Sequence, residues 1–103
     1  MAAQPPEHLS DAMKAFWSAV VDRYVLDDAP SLELLRRACE ASDRADQARE
    51  VIDREGPTIV THHGEIRVHP AVAVERDART AVGQYIRGVP ITDPLFEDRL
   101  GEK

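Results

Sequence analysis

From residue 31 to residue 55 the chain runs 25 residues without a glycine or proline. Through that stretch Leu34, Ala38, Ala41, Ala45, Ala48 and Ile52 recur at helical spacing, with Leu35 and Val51 widening the stripe. Asp28 or a neighbour can cap this helix, Pro30 suits its first turn, and Gly56-Pro57 ends it near Glu55. Alanine along most of the stripe lets a second helix come close. A long helix with a small-residue face needs a partner helix, and that requirement sets the fold class.

The opposite face is charged. Glu33–Arg37, Glu40–Arg44 and Glu50–Arg54 stand at i, i+4 with the acid on the N-terminal side, the favourable orientation. Arginines paired in this way read as a solvated face rather than a nucleic-acid stripe. Cys39 lies beside the alanines as a small buried hydrophobe, and a single cysteine fits a reducing compartment.

The partner helices flank this one. Ser10 is a good N-cap for a first helix whose face is Met13, Phe16, Trp17, Val20, Val21 and Tyr24. Phe16 and Trp17 suit the core of the fold, although an exposed groove for a partner would use the same residues. The third helix opens at His69-Pro70, where proline fits the first helical position. Its packing face is Ala71, Val74 and Ala78, continued by Ala81, Val82, Tyr85 and Ile86, with Gly88 placed to supply a left-handed C-cap.

Between the second and third helices, residues 58–61 and 65–68 alternate with period two around His63-Gly64. A two-residue turn there pairs Thr61 with Ile66 and Ile59 with Val68 on one face, leaving Val60 and Arg67 on the other. A lone two-stranded hairpin is marginal in water, so it must pack on a helix or on a neighbouring subunit. The expected fold is therefore mainly α. It has three helices, a β-hairpin at about 57–69 and a short C-terminal arm or helix, and it forms oligomers. Residues 1–8 read as a disordered lead without signal-peptide regions, 9–88 as the helical oligomerisation domain, and 89–103 as a tail carrying Leu95, Phe96 and Leu100.

Composition narrows the function. Aromatics are only 5% of the 103 residues, so the core leans on aliphatics and alanine, and oligomerisation is a natural further source of burial. The net charge of -6 argues against a non-specific polyanion binder. No apolar run suits a membrane span. His62, His63, His69 and Cys39 lack the spacing of a metal site, and no phosphate loop or nucleophile elbow occurs, so no metal, cofactor or enzymatic activity is expected.

The order of features carries a resemblance. Leu9-Ser10 opens a Phe16-Trp17 helix, and a Cys39-Glu40-Ala41 helix ends at Glu55-Gly56. A Gly64 turn follows, and then His69-Pro70-Ala71-Val72-Ala73-Val74-Glu75-Arg76-Asp77-Ala78-Arg79, the most specific stretch. From about Pro6 to Arg87 the chain resembles the small terminase subunits of tailed phages and prophages, more narrowly the short-chain type of phages with cohesive-end packaging. The resemblance implies a non-catalytic adaptor in the host cytoplasm. Such a subunit helps recognise the packaging site on phage DNA, recruits and regulates the large terminase ATPase–nuclease, and assembles as a homo-oligomeric ring.

The chain departs from many such proteins in showing no helix-turn-helix or basic extension. Only residues 56–88 are net basic, with four basic groups against three acidic. Arg76 and Arg87 have no acid at i±3 or i±4 and fall on one helical face. Arg67, Arg76 and Arg87 are thus the candidate DNA contacts, multiplied by ring symmetry. Ion pairing to a neighbouring subunit's acids is the competing use of the same residues. The alternative to the packaging adaptor is a prophage-derived protein-interaction module without direct DNA binding.

Overall fold

The computed structural model describes residues 3–91. Within them the order is α1 (Asp11–Tyr24), α2 (Ala29–Glu55), β1 (Thr58–Val60), β2 (Ile66–Val68) and α3 (Pro70–Arg87). The protein is mainly helical, with a two-stranded antiparallel hairpin between α2 and α3. The expected C-terminal arm or helix after Pro94 lies outside the described residues.

Each helix begins where its sequence supplies a cap. The Ser10 hydroxyl accepts from the Met13 amide, the Asp28 carboxylate from the Ser31 amide, and His69 Nδ1 from the Ala71 amide. Ser10 also ties α1 to α2, since its amide and hydroxyl both donate to the Asp43 carboxylate, at 2.8 and 2.5 Å. α1 ends at Val25, a β-branched residue held in the left-handed region at φ 51°.

α2 buries two faces. Leu35 and Cys39 join Leu9, Trp17, Val20, Val21, Leu26 and Val89 in the larger core cluster. Ala38, Ala45, Ala48 and Ile52 are buried along the helix, and Ala48 and Ile52 meet Ala71 in a smaller cluster with Val51 and Val72 around it. α3 runs antiparallel to α2: His69 meets Glu55, Arg49 meets Glu75, and Leu34 abuts Gly88. Alanines on both helices permit this approach, as the stripe requires.

Three local expectations change. Gly88 adopts right-handed helical angles (φ -84°) rather than a left-handed cap. Its value is space, because a Cβ there would stand 2.8 Å from Leu34 Cδ1. Phe16 is 40% exposed, while Trp17 is buried and its indole Nε1 donates to the Ala3 carbonyl at 3.1 Å. That bond joins Ala3, in the N-terminal lead, to the core, against which Ala3 also packs.

The hairpin register is the third. Thr58 faces Val68, Ile59 faces Arg67 and Val60 faces Ile66, one residue away from the expected pairing. The Thr61 amide donates to the Glu65 carbonyl, and the Gly64 amide to the Thr61 carbonyl, leaving a three-residue loop of His62, His63 and Gly64. A two-residue type I′ turn would need positive φ at His63 as well as Gly64. Here Gly64 alone takes it, at φ 84°, and Val25 is the one non-glycine at positive φ among the described residues. Opposed residues share a face, so Val60, Ile66 and Val68 gather on one side, and Ile59 and Arg67 on the other.

Candidate nucleic-acid interface

The three candidate arginines occupy two elements. Arg67 is on β2, exposed, and its guanidinium meets Glu65 at 2.9 Å. Arg76 and Arg87 are exposed on α3 and lie eleven residues apart, about 16 Å along the axis and within roughly 20° of each other in azimuth. Ala78 is buried on α3, and Arg76 stands on the side of the helix away from it. Arg76 contacts Asp77 at 3.2 Å. Arg87 forms no ion pair among the described residues. The fold thus aligns Arg76 and Arg87 on one outward stripe, with Arg67 on the separate hairpin arm.

The residues expected to pack divide differently. Ala71, Ala78 and Trp17 are buried. Val74 is 43% exposed and Phe16 similarly so. Val74 lies off the buried line of α3, on one flank of the α2–α3 pair.

His69 positions the start of α3. Its Nδ1 accepts from a backbone N–H, so the ring hydrogen is on Nε2, which donates to Glu55 Oε1 at 3.0 Å. The His69 hydrogen bond, with Arg54 second, holds the Glu55 carboxyl below its ordinary value. At the other end of α2, Glu33 is likewise depressed, chiefly by its hydrogen bond to Arg36.

The charged face of α2 is rewired relative to the i, i+4 expectation. Glu33 keeps Arg37 only at 3.5 Å, because Arg36 holds it at 2.6 Å. Glu40 bonds Arg36 and His8, each at 2.6 Å, instead of Arg44. Arg54 turns to adjacent Glu55 instead of Glu50. Arg44 and Glu50 are left without an ion pair or hydrogen bond among the described residues. Sequence spacing missed this because Arg36 lies within reach of both Glu33 and Glu40 and fits between them.

His62 and His63 lie against each other at the hairpin turn, ring centroids 4.0 Å apart and planes tilted by 41°. Cys39 is in the large core cluster, its thiol pushed up to about 11 mainly by burial, with Asp43 and Glu40 adding to the effect. Among the described residues no group of three His, Cys, Asp or Glu side chains is placed to hold a metal ion. No helix there is long and apolar enough to cross a membrane.

Fold and surface together define a class: a small helical protein with a β-hairpin, an outward pair of arginines on α3 and an exposed apolar hairpin face. The family model described as phage terminase, small subunit, matches residues 14–88, which take in α1 from its fourth residue, α2, the hairpin and α3, and the chain belongs to that family. Membership supports a role in phage DNA packaging. No curated protein and no solved structure matches the chain.

Proposed function

We propose that this chain is the DNA-site adaptor of a phage packaging motor, working in the host cytoplasm. It assembles head to tail into a homo-oligomeric ring, helps select the packaging site, and recruits and regulates the large subunit that carries the ATPase and nuclease. It performs no chemistry itself. The observation that carries the reading is the family match over residues 14–88, most of the helical unit. The aligned, outward Arg76 and Arg87 support DNA contact through phosphates, which gives salt-sensitive binding with little base readout.

A second reading has its own support. Arg67 and Arg76 already meet Glu65 and Asp77 within the chain, and the net charge is -6. An interaction module without direct DNA binding would look the same. Replacing Arg76 and Arg87 with Glu separates the two. The adaptor reading expects an intact oligomer with reduced, less salt-dependent binding to cognate DNA. DNA affinity that changes only through loss of the oligomer rejects direct contact.

A further inference from the structure

We infer that the apolar face of the β-hairpin seats in the α2–α3 groove of a second copy of this chain. The inference rests on the self-assembly part of the proposed function and names the surfaces that perform it.

The hairpin shows its more apolar side to solvent. Val60, Ile66 and Val68 are 71%, 74% and 67% exposed, and the register set by Gly64 places them together. No charged residue shares that face: Glu65 and Arg67 belong to the other. Two strands without a covering layer are marginal, and an exposed aliphatic cluster rimmed by polar residues marks an interaction site.

The counter-surface is a groove of about 370 Å³ along one flank of the helix pair. Its apolar lining is Ala41, Val74, Ala78, Ala81 and Tyr85. The charged residues Arg37, Glu40, Arg44 and Asp77 line it as well. The chain's own hairpin cannot fill it. The hairpin begins beyond Glu55, eleven residues past Arg44 and about 16 Å further along α2. Its base is fixed there by the His69 amide bonded to the Pro57 carbonyl and by the His69–Glu55 contact.

Charge points to a copy of the same chain as the occupant. The groove's acids are already engaged, Glu40 by Arg36 and His8, and Asp77 by Arg76. Arg44 is left uncompensated among the described residues. Glu50, the unmatched acid of α2, lies about 9 Å from it along the helix, on the hairpin side. Each copy therefore carries one unmatched cation in the groove and one unmatched acid on the hairpin-proximal part of α2, about 120° round the helix, so a second copy supplies a complementary charge. A contact of hairpin to groove repeats head to tail where it is one-way and closes as a two-fold dimer where two copies exchange hairpins.

Two surface substitutions test this, Ile66→Lys and Val74→Lys, each checked for native helicity and melting temperature. By sedimentation velocity and native mass spectrometry, each variant alone is expected to self-associate about tenfold or more weakly, since the contact would bury an unpaired ammonium near the uncompensated Arg44. An equimolar mixture is expected to form heterodimers and nothing larger, because one intact hairpin meets one intact groove. A Val74→Lys variant that assembles like the unsubstituted chain overturns the inference, as do two variants that remain monomeric when mixed. An Ile66→Lys variant that assembles normally but loses binding to the large subunit assigns the face to that partner instead. An unsubstituted chain that is monomeric at micromolar concentration defeats the assembly reading itself, whereas an oligomer indifferent to both substitutions defeats only the hairpin–groove pairing.

Discussion

The two ends of α2 are built differently. At the N-terminal end α1 covers the helix with Trp17, Val20 and Val21, while Leu9, Leu26 and Val89 close the sides around Leu35 and Cys39. At the C-terminal end the buried set is Ala48, Ile52 and Ala71, and the hairpin beyond it displays its aliphatics to solvent. Burial is worth roughly 25 cal/mol per Å², so alanines contribute far less there than leucine and tryptophan do at the other end. The first end is a finished core. The second is held in place by connectivity, caps and small-residue contacts, and its exposed surface is available for assembly.

The largest predicted effect tests that contrast directly. Leu35 is fully buried, so Leu35→Ala is expected to cost about 3 kcal/mol in urea unfolding. Ile66→Ala, at the exposed end, is expected to stay within about 0.5 kcal/mol under monomeric conditions. Equal losses would mean that the hairpin face is covered within the monomer, and the contrast would fail. Next in size is Gly88→Ala. The new methyl would press on Leu34 Cδ1, and a cost of about 1 kcal/mol is expected because that side chain can shift in part.

Val25→Gly has a smaller effect of the opposite sign. Val25 is exposed and left-handed, so glycine removes about 1 kcal/mol of backbone strain. Greater freedom of the unfolded chain offsets part of this, leaving a net gain of about 0.5 kcal/mol. A fall in melting temperature would mean that the valine side chain makes a contact the finished end depends on.

Much of this was legible in the residues. The caps Ser10 and Asp28, the start at Pro70 and the stops at Gly56 and Gly88 bound their helices because capping is local chemistry, whereas the His69 ring as the cap of α3 was not read. The alanine stripe foretold the close helix pair. The hairpin's existence followed from alternation, but its register did not. His63-Gly64 looks like a two-residue turn until the cost of positive φ at His63 is weighed, and the one-residue difference decides which side chains share a face. The ion pairs were misread for a related reason. Spacing shows which partners are possible, whereas Arg36 took both Glu33 and Glu40 by three-dimensional reach, and His8 arrived from another segment. Of the candidate site, the shared azimuth of Arg76 and Arg87 was visible as a period; the unmatched Arg44 and Glu50 were not.

The smallest effect concerns the pins at each end of α2. Glu55 in the folded chain titrates below its ordinary value, held down by His69 and then Arg54. The folded state therefore binds fewer protons than the unfolded state as the pH drops through that range. Its stabilising contribution is complete above the unfolded carboxyl value of about 4.5 and is lost as the pH falls through the lower folded value. Asp28, depressed by its bonds to Ser31, behaves with the same sign at the finished end. Glu55→Gln should therefore flatten the stability–pH curve between about pH 5 and the acid transition while leaving the Asp28 share of the slope intact. The hairpin end should also loosen selectively in the variant, read as faster amide exchange at Ala71, whose N–H depends on the ring that Glu55 holds. Unchanged exchange at Ala71 with a flattened curve would show that Glu55 stabilises α2 alone, and that the hairpin end is fixed by its backbone bonds.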